Sequence, residues 1–158
     1  MLNVLKKLRI DYPNLSFIQG DSFYWSPRKN LIHYRHIDDS PESIWPLLHE
    51  VGHAQLGHRQ YSSDFELLSL EIEAWKQAKL LAKKYSNKID ENHIQDCLDT
   101  YRDWLYKRST CPLCTCSALQ IDTDRYSCFN CNNEWQVSES RKCRTYRKKQ
   151  KASKNEAF

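Results

Sequence analysis

Two histidines and a glutamate form the pattern H-E-x-x-H in the segment His49-Glu50-Val51-Gly52-His53. If this segment is helical, positions i and i+4 lie on one face, so both imidazoles can reach one metal ion. Glu50 then lies about 100° around the helix from His49, where it can hold a water molecule without binding the ion. The spacing predicts a zinc site with His49 and His53 as ligands and Glu50 as the catalytic carboxylate of a hydrolase. The alternative is a helix without a metal, whose histidines make ordinary hydrogen bonds.

A third zinc ligand is expected, because catalytic zinc usually has three protein ligands and one open position. Glu71 is the best candidate, since it lies in the apolar stripe of a second predicted helix over residues 64–86. A lone carboxylate is costly to bury unless it is paired or binds a metal ion, so the alternative is a buried salt bridge. Glu73 is expected to face solvent. His58 does not match the metzincin spacing and is interpreted as a helix-end residue that contacts terminal carbonyls.

The residues from His49 to His58, followed by Glu71-Ile72-Glu73-Ala74-Trp75, resemble the ImmA/IrrE-type metallopeptidases. In that family a helix with the pattern H-E-x-G-H precedes a helix with the pattern E-x-E-A-[ND]. The resemblance covers residues 15–85 and implies a reduced gluzincin fold. In that fold a small sheet accompanies the motif helix, and the following helix supplies the glutamate ligand.

The same resemblance implies an activity and a site. It implies a zinc metalloendopeptidase that hydrolyses a protein substrate, often a helix-turn-helix repressor that binds DNA. The residues that match the family's site are the zinc ligands His49, His53 and Glu71 and the general base Glu50. Trp75 stands where the family has Asn or Asp, so another residue must orient the ligands. Gluzincin substrates commonly pair with an edge strand before the motif helix, which would place Leu31–Tyr34 along the cleft.

Four of the seven cysteines form two C-x-x-C pairs, Cys111 with Cys114 and Cys128 with Cys131. Each pair forms a tight turn that presents two thiolates to one ion, and four thiolates close the coordination sphere of zinc. The pattern therefore predicts a zinc ribbon with a structural zinc ion, with Cys116 as an alternative to Cys114. In a reducing compartment such pairs indicate metal ligation rather than disulfides.

The predicted fold class is α+β, with a small antiparallel sheet packed on a three-helix metallopeptidase core and followed by a small β zinc ribbon. Short β-prone runs between Leu15 and Tyr34 supply the sheet. The three helices are expected from near Ser43 to Gly57, over residues 64–86 and over residues 90–107, after a further helix at 1–10. Pro46 is expected in a first helical turn, and Gly57 at a helix end.

The predicted organisation is a metallopeptidase domain at 1–108, the ribbon at 109–137 and a basic tail at 138–158. The last 18 residues contain eight basic residues and one acidic residue, whereas the rest of the chain has a net charge of −3. The tail is expected to be disordered because it has little to bury. An alternative function is a nucleic-acid-binding regulator that uses the ribbon and the tail for phosphate contacts.

The chain has no apolar run near the ~18 residues that a membrane span needs. Its N-terminus alternates apolar and basic residues and lacks the apolar core of a secretory signal. These features predict a cytoplasmic protein without a membrane partner.

Overall fold

A computed structural model describes residues 2–38, 40–138 and 147–149 of the chain. The helices among these residues are α1 (Leu2–Asp11), a 3-10 helix (Pro41–Ile44), α2 (Trp45–Leu56), α3 (Asp64–Lys84) and α4 (Glu91–Ser109). The strands are β1 (Ser16–Gln19), β2 (Tyr24–Ser26), β3 (Leu31–Tyr34), β4 (Leu119–Asp122), β5 (Arg125–Ser127), β6 (Glu134–Val137) and β7 (Arg147–Lys149). The predicted α+β class is confirmed. None of the described helices combines the length and the hydropathy that a bilayer crossing needs.

The chain divides into two compact units. The first unit comprises the described residues up to Tyr61 together with Leu67–Leu98, and it contains the first sheet. The second unit comprises Ser62–Glu66 and the described residues from Asp99 onward, and it contains the second sheet. The predicted borders after residues 108 and 137 stay predictions.

The first sheet is mixed, so the prediction of an antiparallel sheet is wrong. Its strand order is β1-β3-β2, with β1 parallel to β3 and β2 antiparallel to it. The chain runs from β1 to the far edge and returns through a hairpin, where Asn30 has a φ of 47°. Strand β3 is central, with a partner on each side, and three of its four residues are buried. Leu31–Tyr34 therefore does not form an edge, and the expected edge position of this segment is also wrong.

Helix α2, which carries the H-E-x-x-H motif, begins and ends as predicted. Pro46 lies in its first turn, where a missing N–H costs nothing because that donor has no partner within a helix. Gly57 ends the helix with a φ of 68°, a left-handed conformation that glycine adopts without strain. The N–H of Gly57 donates to the Ala54 carbonyl at 3.2 Å, and the N–H of His58 to the His53 carbonyl at 3.0 Å. This cap fixes the direction in which His58 leaves the helix.

The core of the first unit uses one helix more than predicted. Helix α1 contributes Leu5 and Leu8 to the same buried cluster as the other helices and the sheet. On α3 the predicted apolar stripe is buried at Ala74, Trp75, Ala78, Leu81 and Ala82, and Tyr85 directly after the helix is buried as well. Glu71 lies in this stripe and is itself buried. The stripe therefore turns a carboxylate toward the interior of the first unit, as the sequence predicts.

The second unit is organised around a buried ion pair. Arg108, which is 1% exposed, donates to the carboxylate of Asp64, the first residue of α3, and to the Thr123 carbonyl at 3.2 Å. The Tyr126 hydroxyl donates to the same carboxylate, and the Trp135 indole N–H donates to the Arg108 carbonyl at 3.0 Å. Buried charges are tolerated when they are paired and hydrogen-bonded in this way. This network joins the start of α3 to β5 and β6.

Strand β7 departs from the expectation of a disordered tail. Arg147–Lys149 pairs antiparallel with β6, so the prediction is wrong for these three residues. The edge of β6 offers backbone donors and acceptors, and the Arg147 guanidinium donates to the Thr110 carbonyl at 2.8 Å. Apart from Ser138, the rest of the predicted tail lies outside the described residues.

Candidate metal centres

Close contact between helices α2 and α3 brings the motif residues together. A Cβ atom added to Gly52 would lie 2.6 Å from the Ala74 carbonyl oxygen, closer than side chains tolerate. Glycine at this position therefore lets the two backbones approach. Because Glu71 lies about one turn before Ala74 on α3, the approach places its carboxylate opposite His49 and His53.

The three predicted ligands meet at one point. His49 Nε2 lies 3.1 Å from Glu71 Oε2 and 3.1 Å from His53 Nε2, and His53 Nε2 lies 3.5 Å from Glu71 Oε1. Their side chains are 9%, 12% and 9% exposed for His49, His53 and Glu71. This group is positioned to hold a metal ion. Among the described residues Glu71 pairs with these two histidines and not with an arginine, so a metal-free buried ion pair with the histidines stays an alternative.

The two imidazoles determine the charge of Glu71. Burial by itself raises the pKa of this carboxyl group, but hydrogen bonds from His49 and His53 outweigh it. The pKa of Glu71 therefore lies well below its ordinary value, and the group is a carboxylate at neutral pH. An ionised oxygen donor beside two imidazole nitrogens is the donor set of many catalytic zinc sites.

Glu50 lies beside this group without joining it. Burial raises the pKa of this half-buried carboxyl group, although the nearby imidazoles of His49 and His53 act in the opposite direction. The backbone N–H of Trp25 in strand β2 lies near enough to the Glu50 carboxylate to lower its pKa slightly. The carboxylate thus lies near the strand and has a raised proton affinity, as a general base needs.

Trp75 orients His49 by stacking rather than by a hydrogen bond. The indole lies against the His49 ring with centroids 4.2 Å apart and an angle of 29° between the planes, and His93 packs edge-on against the indole. No described residue lies within hydrogen-bonding distance of the buried His49 Nδ1. The sequence predicts that another residue takes the orienting role of the family's Asn or Asp. It does not predict that this role is filled by stacking on Trp75, because the stacking depends on how the helices pack.

His58 contacts the second histidine of the motif, and Glu73 contacts His58, which are roles that sequence reasoning misses. His58 Nδ1 lies 2.9 Å from His53 Nδ1, and His58 Nε2 lies 3.4 Å from a Glu73 oxygen. If His53 Nε2 binds a metal ion, the proton of the ring must be on Nδ1, which then donates to His58. Burial and the neighbouring His53 lower the pKa of His58, which favours the neutral form that accepts this hydrogen bond. The sequence shows Glu73 two residues after Glu71 on the same predicted helix. This spacing does not indicate that Glu73 contacts His58.

The four predicted cysteines form a second group that is positioned to hold a metal ion. Cys111 Sγ lies 3.6 Å from Cys131 Sγ, and Cys114 Sγ lies 3.5 Å from Cys128 Sγ. The Asn130 side chain and the Cys116 backbone N–H lower the pKa of Cys114 to about 6, so its thiolate forms readily. Cys116 is exposed and lies outside the group.

A variant at Gly52 tests the helix contact that builds the first group. Gly52→Ala forces α2 and α3 apart, since the new methyl group would meet the Ala74 carbonyl at 2.6 Å. Overpacking of this kind costs about 1–3 kcal/mol, and we expect a lower melting temperature with at least about tenfold weaker zinc binding at this group. Competition with a chromophoric chelator measures the affinity. Gly20→Ala is the control, because its added methyl group has no neighbour closer than 3.9 Å. Unchanged zinc affinity of the Gly52→Ala protein would contradict the argument.

Comparison of the chain with protein-family models, with curated proteins and with solved structures finds no match in any of the three. The relationship to the ImmA/IrrE-type metallopeptidases therefore stays a prediction from the motif residues. What supports a function is the geometry of the two groups described above.

Proposed function

We propose that the chain is a zinc-dependent metalloendopeptidase, in which His49, His53 and Glu71 bind zinc and Glu50 is the general base. One observation carries the proposal: two imidazole nitrogens and a buried carboxylate oxygen converge beside a second carboxylate, from Glu50, that is not part of the group. Hydrogen bonds within this group leave the buried His49 Nδ1 without a partner among the described residues, so they do not fully satisfy the histidines.

The donor distances fit zinc. With bonds of about 2.0–2.1 Å, the ligands of a tetrahedral zinc ion lie roughly 3.3–3.4 Å from one another. The two imidazole nitrogens lie 3.1 Å apart, and the two Glu71 oxygens lie 3.1 Å from His49 Nε2 and 3.5 Å from His53 Nε2. Zinc held there would polarise a peptide carbonyl group and lower the pKa of a water molecule toward about 7.

The chain's own residues would carry the proton through the reaction. A Glu50 carboxylate oxygen accepts a proton from the attacking water molecule and then delivers it to the nitrogen of the leaving amine. The raised pKa of Glu50 suits both steps, because a more weakly acidic carboxyl group accepts the proton from water more readily. The Trp25 N–H lies near the Glu50 carboxylate, and stacking on Trp75 holds the His49 ring.

The cysteine group fits a structural zinc ion. Tetrahedral zinc with bonds of about 2.3 Å to sulfur separates its thiolates by roughly 3.8 Å, close to the 3.5 and 3.6 Å observed here. Four thiolates leave no position for a substrate. We propose a zinc ribbon in the second unit, with Cys111, Cys114, Cys128 and Cys131 as ligands.

The proposed substrate is a protein, and the family resemblance suggests a helix-turn-helix repressor. The test compares the parent chain with a Glu50→Gln variant, each co-expressed with candidate repressors of this class. We expect cleavage to fall by about 10²–10⁴-fold, which is the contribution of a general base, while both proteins contain two zinc ions. Mass spectrometry of the fragments measures the cleavage.

The matched control for this test is Glu42→Gln, which makes the same chemical change at an exposed position in the 3-10 helix before α2. It should cleave as the parent does. Equal cleavage by the parent and the Glu50→Gln protein would rule out the proposed mechanism, since the general base would then be dispensable.

A further inference from the structure

A cavity of about 470 Å³ lies in the first unit, between the turn that joins β2 to β3 and the segment that follows α2. Tyr24 and Trp25 form an aromatic part of its lining, and Arg28, Lys29 and Arg59 form a cationic part. We call it the basic cavity. Its volume lies within the range of about 300–1,000 Å³ that is typical of ligand pockets.

The charge of the basic cavity is uncompensated. Its lining contains three cationic side chains and no acidic one. Arg28, Lys29 and Arg59 are all exposed, and none of them takes part in an ion pair among the described residues. A concave surface of one sign attracts ligands of the opposite sign, and arginine binds carboxylates through two parallel hydrogen bonds.

The basic cavity adjoins the proposed active site through Trp25. The backbone N–H of this residue lies near the Glu50 carboxylate, and its indole N–H donates to the His58 carbonyl at 2.9 Å. His58 in turn contacts His53, one of the proposed zinc ligands. Trp25 thus belongs both to the lining of the cavity and to the surroundings of Glu50.

Strand β2 supplies an edge for such a peptide. In the described sheet it pairs with β3 on one side only. An extended peptide along an exposed edge directs alternate side chains to the same face, so its backbone sets the register while a neighbouring pocket selects one side chain. Tyr24 and Trp25 belong both to this strand and to the cavity lining.

We infer that the basic cavity is a specificity subsite for an acidic side chain, Glu or Asp, of the peptide substrate. This inference rests on the proposed peptidase function and names the substrate class: segments with a carboxylate side chain a short distance from the scissile bond. Arg28 and Arg59, which both line the cavity, bind the carboxylate, and the aromatic lining contacts the aliphatic part of the side chain.

The test uses two pools of octapeptides, acetylated and amidated, with a fixed central Glu or a fixed central Gln and uncharged residues elsewhere. Binding to the zinc-loaded Glu50→Gln protein is measured by calorimetry at low salt. We expect the Glu pool to bind at least about tenfold more tightly than the Gln pool, and the preference to shrink as salt screens the charges.

Two double variants test whether Arg28 and Arg59 cause the preference for the Glu pool. The double variant Arg28→Glu, Arg59→Glu, on the Glu50→Gln background, should lose the preference, and the milder double change to Gln should weaken it. Lys76→Glu is the matched control, because this exposed lysine on α3 does not line the cavity. A third pool, with central Gln and a free C-terminal carboxylate, tests whether the carboxylate must come from a side chain.

Equal affinity for the Glu and Gln pools, or no measurable binding of the Glu pool, would overturn the subsite. Retention of the preference in the Arg28→Glu, Arg59→Glu protein would overturn it as well, and so would equally tight binding of the pool with a free C-terminus. These results are separable from the fate of the peptidase proposal. Cleavage by the parent without a Glu preference removes only the subsite, whereas a Glu preference without any cleavage by the parent removes only the peptidase.

Discussion

A Glu71→Ala variant is expected to hold one zinc ion per chain where the parent holds two, and to lose measurable peptide hydrolysis. The carboxylate is the one anionic donor in the first group, and its oxygens lie 3.1 and 3.5 Å from the two imidazole nitrogens. Without it two neutral imidazoles remain, too few ligands for a catalytic zinc site. Metal analysis after dialysis against a weak chelator measures the stoichiometry.

The matched control for this variant is Glu73→Ala, two residues along the same helix. Glu73 has a side chain that is 58% exposed and contacts His58 rather than the ligand group. This protein should keep two zinc ions, because its change leaves all three donor atoms in place. His53→Ala should behave as Glu71→Ala does. Two zinc ions in the Glu71→Ala protein would contradict the ligand set and, with it, the proposed enzyme.

The features that the sequence predicts well are local. The i, i+4 spacing of His49 and His53 and the cap at Gly57 follow from helix geometry alone. Glu71 is predictable because an acid in an apolar stripe needs a partner, and the fold supplies two imidazoles. The two C-x-x-C pairs are predictable from their spacing, since each tight turn brings its own two thiols together.

The features that the sequence does not predict depend on contacts between distant segments. The parallel pairing of β1 with β3 depends on the order of the strands in the sheet, and short β-prone runs do not determine that order. The stacking of Trp75 on His49 joins residues 26 positions apart on two helices, and the Trp25 N–H reaches Glu50 from another element. Trp75 in place of the family's Asn or Asp indicates only that another interaction must orient the ligand. The identity of that interaction depends on how closely α2 and α3 approach.

A Cys128→Ser variant is expected to lose the second zinc ion and, with it, the folded structure of the second unit. The buried core of the sheet in this unit comprises Cys111, Tyr126, Cys128, Trp135 and Val137, so two of its five members are proposed ligands. A core this small stabilises little by itself. Structural zinc contributes an apparent binding free energy of about 10–16 kcal/mol in small metal-dependent domains, and this energy is available only when all ligands are present.

Cys116→Ser is the matched control, because it removes an exposed thiol that lies outside the cysteine group. We expect this protein to keep two zinc ions, together with the fluorescence of the buried Trp135. In the Cys128→Ser protein Trp135 should become solvent-exposed and the segment from β4 to β6 should become sensitive to protease, while the first zinc site remains loaded.

If Cys128→Ser kept both ions and the buried Trp135, the four thiols would not be holding a metal. If instead Cys116→Ser lost an ion, the ligand would be Cys116 and the geometry around Cys114 would have to change, because its Sγ lies 3.5 Å from that of Cys128.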